Sequence, residues 1–283
     1  MERAYPKTKI RSRICRIIAF AFAVLALLLT VTPFAFMVLN SFKGRFEILM
    51  KGVFALPERL NVSNYLEVIQ GDFRNYLVNS IIVLAISLFL LLIISAFAAY
   101  PLARFQFRFK KLIYGMIIAC MCIPVHITLI PMFKMANKAG VYDSIWALAG
   151  PYVAIGIPVS VFMLTGHMKE IPKEIEESAE IDGCGRIRMF FAIILPMSRS
   201  GLVTAAIYNG VNIWNEFIFA YTLTQSPQNG TLPLAVWEFQ GRYSMHVPML
   251  MAVLTLTAVP LFIFFFIVQE QFVKGMTSGV LKG

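Results

Sequence analysis

The sequence predicts an all-α integral membrane protein with six transmembrane helices and both termini in the cytoplasm. The 283 residues are 59% hydrophobic and only 14% charged, whereas soluble domains carry about 25% charged residues. The mean hydropathy of +0.74 is correspondingly high. Six segments are apolar over the length of about 20 residues that a bilayer requires. Lys and Arg residues concentrate on one side of these segments, which sets the orientation.

The six predicted helices span residues 17–39, 78–101, 112–133, 146–166, 201–223 and 248–270. The first exceeds the apolar core of about 7–15 residues typical of a cleaved signal peptide, and no small-residue cleavage site follows, so we expect it to be retained. Prolines in the third and fourth segments either kink these helices or end them; they are Pro124, Pro131, Pro151 and Pro158. One transmembrane domain, 17–270, is therefore expected between a cytoplasmic N-terminal tail, 1–16, and a cytoplasmic C-terminal tail, 271–283.

The basic residues support this topology. With both termini inside, 17 of the 25 Lys and Arg residues lie in the predicted cytoplasmic segments, as the positive-inside rule requires. The formal net charge of +10 therefore indicates membrane topology. It does not indicate a nucleic-acid partner, because no aromatic and basic recognition motif accompanies it.

The chain shows no pattern typical of a catalytic or metal-binding site. Its four cysteines and three histidines share no metal-ligand spacing, and no nucleophile and base stand together. We therefore predict no catalytic residue and no metal, and we interpret His126, His167 and His246 as structural.

Polar residues recur on one face of the fifth predicted helix. Tyr208 and Asn212 are four residues apart, and Asn215 and Glu216 continue the row, so these side chains share a helix face. Polar groups at membrane depth are costly unless they face a cavity or a polar partner. Two interpretations stay open: the face lines a path for a solute, or it makes hydrogen bonds to a neighbouring helix of a partner chain. Asn79 in the second helix is a further candidate.

The predicted cytoplasmic loop 167–200, between the fourth and fifth helices, contains a dense acidic segment. Six of the chain's 15 acidic residues fall within positions 170–182. Pro172 suits a helix start, Glu174 and Glu176 suit the first turn because the helix dipole favours negative charge there, and Gly183 suits the end. The segment is too short to span a membrane and too charged to enter lipid, so we predict a short helix in the loop.

The spacing in this loop resembles a signature of ABC-importer permeases. Glu177-Ser178-Ala179, three residues, Gly183, nine residues and Ile193-x-Leu195-Pro196 match E-A-A, x3, G, x9, I-x-L-P, with Ser178 in place of the second Ala. The run AAYPLARF at 98–105 and the end GMTSGVLKG at 275–283 are similar to the carbohydrate-uptake branch, and in particular to the second permease subunit of maltose-type transporters.

The resemblance implies a permease subunit of an ATP-driven, binding-protein-dependent importer for a sugar or oligosaccharide. In such a subunit the loop is a coupling helix that docks on an ATPase. By residue match, the coupling residues are Glu177, Ser178, Ala179, Asp182, Gly183, Ile193, Leu195 and Pro196. The translocation-path candidates are Tyr208, Asn212, Asn215, Glu216 and Asn79.

No phosphate-binding loop G-x-x-x-x-G-K-[ST] occurs in the chain, so no cofactor is expected on it, and ATP with Mg is expected on a separate ATPase chain. The expected partners are a homologous second permease subunit, two cytoplasmic ATPase subunits, an extracytoplasmic substrate-binding protein and membrane lipid, without nucleic acid. The expected location is the inner (cytoplasmic) membrane of a bacterium, as a multi-pass protein.

Other functions stay open on the sequence alone. An importer of the same family could carry a non-sugar solute, such as a polyamine or a phosphorylated polyol. A self-sufficient membrane transporter would not need the acidic loop, and a membrane enzyme would need the catalytic cluster that the chain lacks.

Overall fold

The computed structural model describes residues 7–242 and 246–280, and within these ranges its regular secondary structure is entirely helical. The predicted all-α class is confirmed. The α-helices are α1 Lys7–Ser41, α2 Arg45–Lys51, α3 Ser63–Gln70, α4 Phe73–Arg104, α5 Lys110–Cys120, α6 Leu129–Lys138, α7 Trp146–Glu170, α8 Lys173–Ile181, α9 Arg186–Met189, α10 Leu195–Met197, α11 Arg199–Trp214, α12 Ile218–Leu223, α13 Leu232–Arg242 and α14 Val247–Val280. Short 3₁₀ turns lie at Val125–Thr128 and Pro227–Asn229, and a π-helical turn at Phe190–Ile194.

Four described segments are long and apolar enough to cross a membrane: Cys15–Ser41, Phe73–Arg104, Trp146–Glu170 and Val247–Ile267. They correspond to the first, second, fourth and sixth predicted spans. Two further segments are bent helix pairs, and the described chain has up to six spans if each pair is counted as one. The helices run past the predicted spans at both ends. α1 begins inside the predicted tail 1–16, of which residues 1–6 lie outside the described residues, and α14 enters the tail 271–283, of which 281–283 lie outside.

The third predicted helix, 112–133, is not continuous. α5 ends at Cys120, and the pair Lys110–Cys120 and Val125–Lys138 is bent by 90°. Pro124 has an extended backbone, with φ −61° and ψ 113°. Its ring removes the N–H that would continue α5 and disfavours the helical region for Ile123 before it, so the helix ends ahead of this proline. Pro131 lies in the first turn of α6, where a missing N–H leaves no bond unmade.

The fifth predicted helix, 201–223, is also interrupted. α11 ends at Trp214 and α12 begins at Ile218. The Glu216 carboxylate between them accepts the N–H groups of Phe219 at 2.9 Å and Ala220 at 3.2 Å. It therefore caps α12 in the way that acidic side chains satisfy a helix start, and the chain starts a new helix instead of extending the old one.

The chain divides into two compact units, Met1–Val68 with Phe239–Leu256 and Ile69–Glu238 with Thr257–Gly283. In the first unit, the segment after α1 folds around a buried ammonium group. Lys43 Nζ donates to Asn40 Oδ1 at 2.9 Å and to the Val53 carbonyl at 3.0 Å. Asn64 Nδ2 donates to the Ser41 carbonyl at 2.7 Å, so α3 is joined to the end of α1.

The second unit is built on α4 and α7, which pack along each other, with α11 against both. Gly156 marks the closest approach, because a Cβ there would lie 2.0 Å from Leu91 Cδ1 and 2.6 Å from Asn209 Oδ1. Asn209 Nδ2 donates to Ser160 Oγ at 2.8 Å. Small residues that let helices approach and polar side chains that bond across them are the usual means of helix association in membranes.

Candidate coupling segment and polar cavity

The acidic segment forms α8, Lys173–Ile181, as the sequence predicts. Glu174 and Glu176 lie in its first turn. Pro172 stands one position before the helix, with φ −56° and ψ 137°, and directs the chain from the end of α7 into α8. The local sequence is therefore sufficient to start a helix here, immediately after a long apolar span.

α8 ends in a Schellman motif with Gly183 in the left-handed conformation, at φ +78°. The Cys184 N–H donates to the Ala179 carbonyl at 2.9 Å, and the Gly183 N–H donates to the Glu180 carbonyl at 3.0 Å. Both bonds satisfy carbonyls that the helix end leaves free. A Cβ at Gly183 would meet no heavy atom within 4 Å, so within this chain the glycine is needed for its backbone conformation and not for space.

α8 has two different faces. Ile175 and Ala179 are half-buried and pack against an apolar cluster where α4, α7 and the segment after α8 meet. This core cluster consists of Ala96, Ala99, Tyr100, Leu164, Met168, Ile171, Met189, Phe190 and Ile194. The opposite face is exposed and contains Glu174, Glu177, Ser178 and Ile181, with Ile181 86% exposed. The close packing that Ala179 permits is thus to the chain's own core, and Glu177 and Ser178 point away from it.

A buried ion pair fastens α8 to the end of α4. The Arg104 Nε lies against Glu176 Oε1, and the two side chains are only 4% and 15% exposed. Arg104 Nη2 also donates to the Ile171 carbonyl at 2.8 Å. Burial raises the pKa of Glu176, and Arg104 partly offsets this by favouring the carboxylate. The Arg186 guanidinium lies 5.0 Å from the centre of the Phe105 ring, which adds a cation–π contact between the start of α9 and the end of α4.

The remaining predicted coupling residues lie at the end of the segment. Ile193 and Leu195 are half-buried and pack against the core cluster, whereas Asp182 and Pro196 are exposed. The chain is π-helical over Phe190–Ile194, just before Pro196, which has no N–H with which to continue an α-helical ladder. The segment then bends by 70° between Arg186–Met197 and Arg199–Trp214.

A cavity of about 570 Å³ lies between α7, α11 and the bent pair α5 and α6. It brings together three of the five predicted path residues, Tyr208, Asn212 and Glu216. Asn212 Nδ2 donates to the Tyr208 carbonyl at 2.7 Å, which leaves its side-chain oxygen as the group available to a ligand. The cavity is lined by Cys120, Met121, Ile123, Val125, His126, Thr128, Met132, Tyr152, Ala154, Ile155, Gly156, Pro158, Val159, Tyr208, Asn209, Asn212, Ile213, Glu216 and Phe219.

The other two path candidates lie elsewhere. Asn79 Nδ2 donates to the carbonyls of Gln228 at 2.8 Å and Gly230 at 2.9 Å, so it holds the loop before α13 against α4. Asn215 is exposed and donates to the Val211 carbonyl of its own helix at 2.8 Å. Neither lines the cavity. The polar row does not continue to Asn215 because α11 ends at Trp214.

Sequence reasoning missed several polar residues of the cavity. Tyr152 Oη donates to Glu216 Oε2 at 2.7 Å and so joins α7 to the break between α11 and α12. Asn209 lies next to Tyr208, and its polarity in an apolar helix was an available signal. His126, which the sequence led us to interpret as structural, also lies on the cavity wall, as does Thr128. Nothing in their local pattern distinguishes them, because the bend at Pro124 places them there.

Apolar helices of membrane-spanning length, a cavity with polar groups on a mainly apolar wall, and an acidic helix with an exposed face are together typical of a membrane transport component. Residues 91–278 match the family described as binding-protein-dependent transport system inner membrane component, and the chain belongs to this family. Its members are transport subunits rather than enzymes, and they belong to ABC transporters.

Two relatives and one solved structure resemble nearly the whole chain. The ABC transporter permease protein ORF2 of Caldicellulosiruptor sp. (strain Rt8B.4) is 46% identical over 93% of this chain and 96% of its own length. The melibiose/raffinose/stachyose import permease protein MelC of Bacillus subtilis (strain 168) is 30% identical over 96% and 99%. A chain of a bacterial ABC transporter involved in the import of the acidic polysaccharide alginate superposes with a TM-score of 0.79 and 19% identity, covering 95% of this chain and 99% of that chain. The last likeness confirms the fold.

Proposed function

We propose that this chain is one permease subunit of an ATP-driven, binding-protein-dependent importer of a sugar or oligosaccharide in the bacterial cytoplasmic membrane. It crosses the membrane six times, with both termini and loop 167–200 in the cytoplasm. The observation that carries the proposal is α8: one face is fixed to the ends of α4 and α7, and the other is exposed and acidic. The sugar is supported by the Bacillus subtilis relative, which is named for import of melibiose, raffinose and stachyose.

The exposed face of α8 fits a cleft in an ATPase subunit. Glu177 offers a carboxylate to basic or N–H groups, Ser178 leaves room for close approach, and Ile181 offers an apolar side chain that is 86% exposed. Exposed apolar residues that are rimmed by polar ones are typical of interaction surfaces. Two ATPase subunits hold ATP and Mg, since this chain has no phosphate-binding loop. Their closure moves α8 and biases the spans between inward-open and outward-open states.

The cavity forms this chain's share of the solute path, and a homologous second permease supplies the rest. The binding protein delivers the solute from outside the cell. The Tyr208 hydroxyl and the Asn212 oxygen suit sugar hydroxyl groups, which both donate and accept hydrogen bonds. Of the described residues that line the cavity, Glu216 is the one carboxylate, and none is Lys or Arg. This charge distribution favours a neutral solute over a phosphorylated polyol, while a polyamine is the charged alternative it admits.

The test compares two charge reversals in the complete transporter. Glu177→Lys changes the exposed face of α8, and Glu67→Lys makes the same change at an exposed position of α3, which is not part of the coupling segment. Loss of an interfacial charge pair costs about 2–5 kcal/mol, so we expect Glu177→Lys to lower both ATPase recovery on purification and sugar uptake at least about tenfold. Glu67→Lys is expected to retain both.

Unchanged ATP-coupled uptake in Glu177→Lys would contradict docking through α8. A transporter that is functional after purification without any ATPase chain would refute the importer itself. Binding of neutral sugars, a polyamine and a phosphorylated polyol to the cognate binding protein identifies the solute class, and a preference for either of the last two would overturn the assignment to sugar.

A further inference from the structure

We propose that the buried pair of Arg104 and Glu176 is a positioning latch that makes α8 move as one body with α4, so that ATPase closure reaches the transmembrane spans. This inference rests on the proposed coupling function. It assigns a task to two residues that lie outside the exposed docking face, one of which, Arg104, is the last residue of a long transmembrane helix.

A single guanidinium holds two successive parts of the coupling segment. Arg104 pairs with the Glu176 carboxylate in α8 and also donates to the Ile171 carbonyl in the turn before it. Arginine can contact both groups at once because its guanidinium is planar and extended, so that Nε faces the carboxylate and Nη2 donates to the carbonyl, whereas the ammonium group of lysine is a point charge. The entry to α8 and its first turn are therefore both fixed relative to the end of α4.

α8 has few other attachments. Ile175 and Ala179 rest on the core cluster, but apolar contacts are non-directional, so they resist separation more than they resist sliding or rotation. Among the side chains that the structure describes there are two ion pairs, and the other, Lys51–Glu58, lies in the segment before α3. The Arg104–Glu176 contact is a charge pair without hydrogen-bond alignment, and the directional bond beside it is the one from Arg104 Nη2 to the Ile171 carbonyl. Together these two contacts of one guanidinium set the rotation of α8.

The pair is poorly suited to a purely stabilising role. Two charges that are 4% and 15% exposed lose much of their hydration, and replacing a buried pair by packed apolar side chains is often neutral or stabilising. Removing one partner is costly because it leaves a buried charge unpaired. The role of the pair in coupling can therefore be tested apart from its role in folding, because a variant in which both charges are removed can fold and still lack the latch.

The experiment uses the complete transporter in proteoliposomes and measures both ATP hydrolysis and sugar uptake. The variants are Arg104→Met, Glu176→Met, the double variant and Arg104→Lys. Arg108→Met is the matched control, since Arg108 is an exposed arginine beyond the same end of α4. We expect each single Met variant to be depleted from the membrane and the double variant to recover, because no unpaired buried charge remains.

In the recovered double variant, the ATP hydrolysed per sugar imported is expected to rise. Allosteric coupling free energies typically correspond to about 5- to 150-fold, so we expect at least about a fivefold rise in this ratio. Arg104→Lys should give an intermediate ratio, and Arg108→Met the wild-type ratio.

A wild-type ratio in the double variant would overturn the latch. Failure of the double variant to assemble would also overturn the latch, because that outcome assigns the pair to folding. A proportional fall of ATP hydrolysis and sugar uptake would overturn it as well, because the ratio of the two would then be unchanged. If α8 does not couple the chain to an ATPase at all, the result is a different one: Glu177→Lys would then retain both the co-purifying ATPase and sugar uptake.

Discussion

Replacement of Gly183 tests whether this glycine serves a backbone turn or a close contact. Its φ of +78° lies in the left-handed region, and a Cβ there would meet no heavy atom within 4 Å. A non-glycine L-residue pays about 1–2 kcal/mol for this conformation, and Asn adopts it more readily than Ala. The stability of the α8 end should therefore decrease in the order Gly, Asn, Ala, although Asn is larger than Ala.

The effect is readable in the hydrogen bonds that close α8. The N–H groups of residues 183 and 184 are bonded at 3.0 Å and 2.9 Å, and they exchange with solvent when this end opens. A loss of about 1–2 kcal/mol changes the open population about 5- to 30-fold. Hydrogen exchange of the full-length protein, read on peptides covering 173–185, should accelerate by about this factor for Gly183→Ala and less for Gly183→Asn.

Gly185→Ala is the matched control for this series. Gly185 has φ −69° and ψ 156°, which any residue adopts, and its Cβ position is also open within 4 Å. Alanine there should leave exchange unchanged or slow it, because it reduces the freedom of the unfolded chain. Faster exchange in Gly183→Asn than in Gly183→Ala, or equal effects at 183 and 185, would refute the backbone explanation.

Two further substitutions test the packing of the second unit. Gly156→Ala places a Cβ 2.0 Å from Leu91 Cδ1, so we expect it to lower the stability of the protein by about 1–3 kcal/mol, measured by thermal unfolding in detergent. Gly150→Ala is the control, because a Cβ there meets open space on the same helix. Equal stability of the two variants would contradict the close approach at Gly156. The Asp143 carboxylate accepts a hydrogen bond from the Ser226 hydroxyl and from two backbone N–H groups at 2.8 Å each. The hydroxyl, and after it the two N–H groups, lower the pKa of Asp143 from 3.8 to about 2. Asp143→Asn keeps a residue that tolerates φ 54° but should destabilise the protein by about 1–2 kcal/mol at neutral pH. Because the pKa of Asp143 is lower in the folded protein, its carboxylate stabilises the fold at pH values above the unfolded pKa of 3.8. The stability difference between Asp143→Asn and wild type should therefore be constant at neutral pH and shrink as the pH falls below 3.8 towards 2. A difference that does not change with pH would contradict a stabilising role of the carboxylate charge.

The long spans and α8 could be predicted because their signals are local. About 20 apolar residues are sufficient to indicate a span, and Pro172 before α8 with Gly183 after it indicates a short helix with defined ends. The break at Pro124 also had a local signal. A proline inside an apolar run, however, is compatible with a kink or with an end, and the sequence does not choose between them.

The remaining features depend on residues that are distant in the sequence. Asn79 was predicted to face a path, but its amide bonds carbonyls about 150 positions away. Glu216, at the break between α11 and α12, also accepts the hydroxyl of Tyr152 from another helix, and Arg104 pairs with a residue 72 positions later. Helical periodicity identifies which residues share a face, but it does not identify which partner that face meets, so these roles required the structure.

The coupling segment and the cavity are connected through α7. α7 contributes Met168 to the core cluster beneath α8 and Tyr152 to the cavity wall, and 16 residues of helix separate them, which is about 24 Å. Gly156 lies between them, where close contact with α4 and α11 leaves little room for independent bending. Packed helices shift as bodies between discrete arrangements. If α8 docks on an ATPase and is latched to α4, as proposed above, a displacement of α8 would tilt α7 and move the Tyr152–Glu216 contact. The polar groups of the cavity should then respond to the ATPase.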